Sequence, residues 1–240
     1  MLLTLMKDRE QMQKVGIIGG LGPEATMMYY RAIIDQFQQR QGSQTTLPEL
    51  MINSVNMYQM FAWLEQEDYT AVANYLSQAA QQLAAAGADF VVMCGITPHI
   101  VFEQIQQPVP LLSMVTASCQ HAQKLGLKKL GLLGTEFTMQ HDFFKRAFRD
   151  AGIEVITPNS QQQQFIHHKI VTELENGIVK PATRQDFLAI IKQLQFEQQI
   201  DGVVLGCTEL PLLLKTTDVA LPLLDPAAIH IAAIVAQIFS

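Results

Sequence analysis

Gly202-Val203-Val204-Leu205-Gly206-Cys207-Thr208-Glu209-Leu210-Pro211 is a short apolar run closed by a glycine, a thiol and a hydroxyl at the start of a helix signal. A continuous apolar run of this length reads as a strand buried on both faces, the kind found in parallel sheets. Upstream, Asp89-Phe90-Val91-Val92-Met93-Cys94-Gly95-Ile96-Thr97-Pro98-His99 repeats the strand-to-helix design. The two stretches lie roughly 110 residues apart, too far for a solenoid repeat and right for two duplicated α/β halves.

Working outward, strand signals fall at 14–19, 49–53, 89–94, 111–114, 129–134, 154–157, 202–206 and 221–224. Helix signals at 24–39, 69–86, 115–125, 140–151, 161–176, 183–195 and 226–239 fill the intervals, and Gly87, Gly126, Gly152 and Gly177 stand where helices end on a left-handed residue. Alternation of this kind predicts two Rossmann-like parallel-sheet domains. The expected division is a first lobe of residues 14–114 plus 220–240, a second lobe of 115–219, and an N-terminal extension at 1–13. Each half is expected to present its strand ends to a cleft, because ligands of open parallel sheets bind outside the carboxyl ends of strands.

Composition narrows the function classes. The chain has 240 residues, a net charge of −6 and 49% hydrophobic residues. Its cations are scattered, which argues against nucleic acid and for a small-molecule partner. The cysteines Cys94, Cys119 and Cys207 form no paired framework, the pattern of free thiols in a cytoplasmic setting, and no uncharged run approaches a membrane span. The histidines show no ligand spacing with Cys, Asp or Glu, so a metal centre is not expected. No phosphate-binding loop or serine-hydrolase elbow is present.

Two loops invite chemistry. Gly19-Gly20-Leu21-Gly22-Pro23-Glu24-Ala25-Thr26 follows a strand and opens a helix, so its backbone N–H groups suit an anion; Pro23 removes a donor and the spacing is not a dinucleotide fingerprint, which leaves a carboxylate or a plain glycine turn. Cys207 at a helix start is expected to have a lowered pKa and to be reactive, the other reading being an inert buried thiol. Thr97 and Thr208 occupy matching places, where each hydroxyl holds a carboxylate or caps its helix. His99 is placed to cap or orient the same region.

Val15-Gly16-Ile17-Ile18-Gly19-Gly20-Leu21-Gly22-Pro23-Glu24-Ala25-Thr26, Thr97-Pro98-His99, Gly134-Thr135-Glu136-Phe137-Thr138-Met139 and Gly206-Cys207-Thr208-Glu209-Leu210-Pro211-Leu212-Leu213 together resemble the aspartate/glutamate racemase family, from Lys14 onward. The resemblance implies pseudo-two-fold α/β domains, a homodimer, an amino-acid or carboxylic-acid substrate, and proton transfer by two thiols without pyridoxal phosphate or metal. It makes Cys207 the second catalytic cysteine. Aligning Thr97 and His99 with the family segment Cys-Asn-Thr-x-His puts Gly95 at the first, where no proton can be supplied. Cys94 is then the possible second thiol, if the strand end twists.

The implied substrate contacts are Gly22, Asn56, Thr97, Thr135, Thr138 and Thr208. No Lys or Arg occurs between Gln41 and Gln123, where aspartate racemases often supply an arginine, so Lys169 or Lys180 is the expected substitute for binding a distal carboxylate. The expectation is an aspartate/glutamate-type isomerase working through Cys207, one-sided if Gly95 is a true loss. Glycine with one cysteine also resembles the arylmalonate decarboxylase branch of the superfamily, so a single-cysteine isomerase or decarboxylase stays open, as does a catalytically silent carboxylate-binding protein.

Overall fold

A computed structural model describes residues 12–240. Residues 1–11 of the expected extension lie outside the described residues. Gln13 does not behave as an extension, since its N–H donates to the Ile238 carbonyl at 2.9 Å and ties the chain entry to the last helix. The chain forms two compact units, one running to Ser113 and resuming at His230, the other spanning Met114–Ile229.

The first unit is built on β1 (Val15–Gly19), β2 (Leu50–Ser54), β3 (Phe90–Met93) and β4 (Leu111–Leu112), all parallel, in the order β2-β1-β3-β4. Around them lie α1 (Pro23–Gln41), α2 (Met57–Glu65), α3 (Tyr69–Ala85) and a 3-10 helix at Thr97–Gln104. The second unit has β5 (Lys129–Gly134), β6 (Glu154–Ile156), β7 (Gly202–Gly206) and β8 (Leu223–Leu224), again parallel, in the order β6-β5-β7-β8. Its helices are α4 (Met114–Lys124), α5 (Glu136–Gln140), α6 (Phe143–Asp150), α7 (Ser160–Thr172), a 3-10 turn at Leu174–Asn176, α8 (Pro181–Gln198) and α9 (Leu210–Leu213), and α10 (Pro226–Ile238) crosses the division.

The central strands are buried along their whole length because helices cover both faces, which is why they read as unbroken apolar runs. Ile17, Ile18, Tyr29, Ile33 and Phe37 fill the first core, and Leu132, Leu133, Phe144, Phe148 and Phe187 the second. Both sheets also need a close helix approach. A Cβ at Gly16 would come within 2.9 Å of Leu83 and Ala88, and one at Gly131 within 2.9 Å of Ile200.

Three expectations change. The last strand does not return to the first sheet: β8 hydrogen-bonds to β7, with Val203 opposite Leu223 and Val204 opposite Leu224, so only the chain from His230 onward rejoins the first unit. The helix expected over 140–151 begins only at Phe143, because His141 is extended and its ring is drawn back to the Phe137 carbonyl at 2.9 Å, closing the separate short helix α5 before it. The helix expected over 161–176 likewise breaks at Glu173. The four helix-ending glycines do adopt positive φ, between 70° and 98°.

Candidate active site

In the order β2-β1-β3-β4 the direction of winding reverses between β1 and β3, and in the second unit between β5 and β7; crevices for ligands form at the carboxyl ends of such strands. The residues after these four strands therefore stand at the ligand-binding ends of their own sheets.

In the first unit β1 runs into Gly20, whose φ of 72° and whose approach to Val55 leave no room for a side chain: a Cβ would lie 2.1 Å from the Val55 carbonyl oxygen. Thr26 braces this loop, accepting from the Gly20 N–H at 2.9 Å and donating to the Gly22 carbonyl at 3.0 Å. Gly22 precedes α1, with Pro23 in the first turn. Beside it, Gly95 follows β3. A Cβ built on Gly95 would sit 3.5 Å from the Leu21 Cβ, an ordinary contact, so the backbone there would accept a side chain.

Cys94 does not face that space. It is fully buried, 3.2 Å from the Thr26 hydroxyl, and its S–H points at the Ile18 carbonyl at 3.3 Å. Burial pushes its pKa up, with the Thr26 hydroxyl opposing. These contacts hold the Cys94 sulfur in the packed interior of the first unit. His99 is also buried. Its pKa is lowered to about 4 by burial, so the ring is neutral, and Nδ1 donates to the Gly95 carbonyl at 2.9 Å, since a carbonyl only accepts. That bond ties the His99 ring to the loop after β3.

Thr97 is half-buried, and its hydroxyl makes no hydrogen bond to another described residue. Asn56 is committed locally: its side-chain oxygen caps α2 by accepting from Tyr58 at 3.0 Å and Gln59 at 3.4 Å.

In the second unit Thr135 caps α5, accepting from the Thr138 N–H, and Thr138 is buried beneath it, its methyl 3.4 Å from where a Cβ on Gly206 would stand. β7 then delivers Cys207. This sulfur is half-buried, and its S–H donates to Glu209 Oε2 at 2.8 Å; the Thr208 hydroxyl donates to the same oxygen at 2.8 Å. Thr208 therefore neither caps α9 nor presents a free proton. The expected lowering of the thiol pKa is reversed: burial, then the charge of Glu209 and its hydrogen bond, raise it well above the ordinary value, with Glu175 adding to the rise. A helix of one turn with a carboxylate at its cap cannot offset that. At rest Cys207 is a thiol.

Glu209 stands in the motif around Cys207, but sequence reasoning gave it no role of its own. Its signal was a carboxylate two positions after the cysteine, in a loop where that spacing lets the side chain fold back.

The expected carboxylate-binding lysines are also engaged. Lys169 reaches Glu173 at 2.7 Å and Lys180 reaches the same oxygen at 3.2 Å, while Thr183 donates to the other at 2.6 Å. Lys169 foremost, then Thr183, hold the Glu173 carboxyl down to about 2. Among the described residues no group of three or more His, Cys, Asp and Glu is placed to hold a metal, and no helix is long and apolar enough to cross a membrane.

Known proteins of this build share both sequence and structure with the chain. The broad-specificity amino-acid racemase RacX of Bacillus subtilis (strain 168) is 28% identical over 220 residues, covering 89% of this chain and 93% of that protein. Among solved structures, an Asp/Glu racemase candidate from Yersinia pestis gives a TM-score of 0.90 and an aspartate racemase homologue from Pyrococcus horikoshii OT3 one of 0.85. Each is 33% identical and covers 95% of this chain and 100% of its own. The sequence pattern of Asp/Glu/hydantoin racemases matches residues 18–234, and the chain belongs to that family.

Proposed function

We propose that this protein is an amino-acid racemase or epimerase needing no cofactor, with Cys207 as the acid–base group on one face of the substrate's α-carbon. The observation that carries the reading is a half-buried sulfur at the end of β7, at the sheet's winding reversal, with its proton on a hydrogen bond to a carboxylate. Such a thiol can give a proton to a carbanion and, as thiolate, take one back. Within the second unit, Thr135 and the oxygen of the Thr208 hydroxyl are the proposed contacts beside Cys207, with Thr138 as a local support; the first unit by itself offers the Gly22 backbone and the Thr97 hydroxyl, with Asn56 as a local support.

Gly95 supplies no proton and Cys94 is turned inward, which favours one-sided chemistry. The same two facts support the second reading, a single-cysteine isomerase or decarboxylase that protonates from one face. Because Lys169 and Lys180 are held by Glu173, the preferred substrate is an α-amino acid that needs no cation for a second carboxylate.

Proton NMR in deuterated water tests this on a panel of D- and L-amino acids. Loss of the α-proton signal with inversion supports two-sided racemisation, and loss with retention supports one-sided transfer. Binding without any exchange overturns both and leaves a silent carboxylate binder. A cytoplasmic homodimer completes the proposal; three free cysteines are in keeping with the first part, and the exposed Met27 and Tyr30 of α1 with the second, for which light scattering gives the mass in solution.

A further inference from the structure

Glu209 turns back on its own loop so that one oxygen, Oε2, accepts both the Cys207 S–H and the Thr208 O–H, each at 2.8 Å. It makes no ion pair among the described residues. Two cations that reach α9 bond its backbone instead: Lys215 donates to the Pro211 carbonyl at 2.5 Å, and Arg184 donates to the Leu213 carbonyl at 2.8 Å and lies 4.0 Å from Asp218. The remaining charged neighbour is acidic. Glu175, on the 3-10 turn packed against α9, has its carboxyl pushed up by burial and by Glu209, with His167 pulling it down, and His167 Nδ1 is itself buried without a partner.

A thiolate beside an ionised Glu209 would put two adjacent negative charges in a half-buried place, with a third carboxylate near. Neighbouring acids in that position share a single charge rather than ionise together. We propose that Glu209 is the positioning residue that exchanges one proton with Cys207 and so switches the sulfur between thiol and thiolate. This rests on the acid–base reading of Cys207 above.

The step balances. The S–H bond breaks, its proton forms an O–H bond on Oε2, and sulfur keeps the electron pair. The thiolate then takes the α-proton: the Cα–H bond breaks, an S–H bond forms, and the pair stays on the substrate, delocalised into its carboxylate. The return runs backwards, and the Cys207–Glu209 pair carries one negative charge before the proton moves between them and one after.

The test compares the parent with Glu209→Gln, Glu209→Asp and Cys207→Ser. Two quantities are read: α-proton exchange in deuterated water, and the pH midpoint of Cys207 alkylation by iodoacetamide, resolved by peptide mass spectrometry. Glutamine keeps the shape and an accepting oxygen but cannot take a proton. It should lower the alkylation midpoint by about one pH unit, through loss of the charge, and yet slow exchange by about 100-fold. Aspartate, a poorer fit that is still an acid, should exchange faster than glutamine. A merely structural or merely repulsive carboxylate predicts the reverse order, so exchange in Glu209→Gln equal to the parent or faster overturns the proposal, as does an unmoved midpoint. A parent that exchanges nothing, or a Cys207→Ser variant that still exchanges at the parent rate, overturns the acid–base reading and this proposal together; an inactive Cys207→Ser beside an undiminished Glu209→Gln overturns this proposal alone.

Discussion

The two sheets share a plan and differ at one decisive place. Val15 pairs with Phe90 in the first and Leu130 with Gly202 in the second, and each of the strands β3 and β7 is preceded by an aspartate that clamps its neighbour. Asp89 accepts from the Lys14 N–H at 2.7 Å, and Asp201 from those of Lys128 at 2.7 Å and Lys129 at 3.0 Å. Counting from this common register, Cys94 matches Gly206 and Gly95 matches Cys207. Thr208 therefore matches Ile96, and Thr97 matches Glu209, not Thr208 as the raw sequence suggested. A shift of one residue along a strand reverses the face a side chain occupies. The cysteine of the first unit is packing; that of the second meets a carboxylate at the strand end.

The largest expected effect breaks the contrast from the second unit. Cys207→Ser should lower α-proton exchange by about 1,000-fold, the middle of the range for losing a positioned acid–base group, as NMR of a turned-over amino acid would register. Removing the contrast from the first unit should give the next largest effect. Gly95→Cys fits the backbone without a clash, and an added thiol should raise racemisation about tenfold or more, followed by circular dichroism of the product. A variant no faster than the parent would mean that the missing group is not what limits turnover.

Cys94→Ala should do much less. Exchange should stay within about twofold of the parent, while urea unfolding shows a loss of about 1–2 kcal/mol from the vacated volume and the lost contacts to Ile18 and Thr26. A collapse of exchange in this stable variant would restore Cys94 as a working thiol.

The smallest effect is acid sensitivity, and it too should differ between the units. His99 and His230 are buried in the first, lowered to about 4 and about 3 from 6.5, chiefly by burial. His230 donates from Nε2 to the Leu112 carbonyl at 3.1 Å, so its Nδ1 accepts from the Tyr29 hydroxyl at 3.0 Å. Between those values and 6.5 the unfolded chain binds more protons than the folded one. Their contribution is thus complete above pH 6.5 and declines as the pH falls toward 4 and 3. Glu173, in the second unit, loses its contribution only as the pH falls below 4.5 toward 2, and the raised carboxyls of Asp225 and Glu175 act in the opposite direction. Trp63, the single tryptophan, reports on the first unit. Its urea midpoint should be lower at pH 5 than at pH 7, and an unchanged midpoint would contradict the buried neutral histidines.

Much of this was legible in the chain. Apolar runs marked the central strands β1, β3 and β7 most clearly, because a strand covered on both faces carries no polar side chains to obscure it. The short elements were harder to see. Nothing in Met57–Glu65 announces a helix except its cap at Asn56, and α9 is a single turn. The sheet of the final strand is not legible in the chain, because Leu223 and Leu224 are equally apolar against either neighbour and only the hydrogen bonds to β7 select one.

The sequence by itself determined the two parallel sheets, the absence of a proton-bearing side chain at position 95 and the presence of a thiol at 207, since composition and strand periodicity are local properties. Tertiary structure alone decided the state of that thiol. The charge on a sulfur depends on what surrounds it, and the burial, the Glu209 oxygen at 2.8 Å and the nearby Glu175 that keep Cys207 protonated are assembled only when the loop after β7 folds back and the turn before α8 packs beside it.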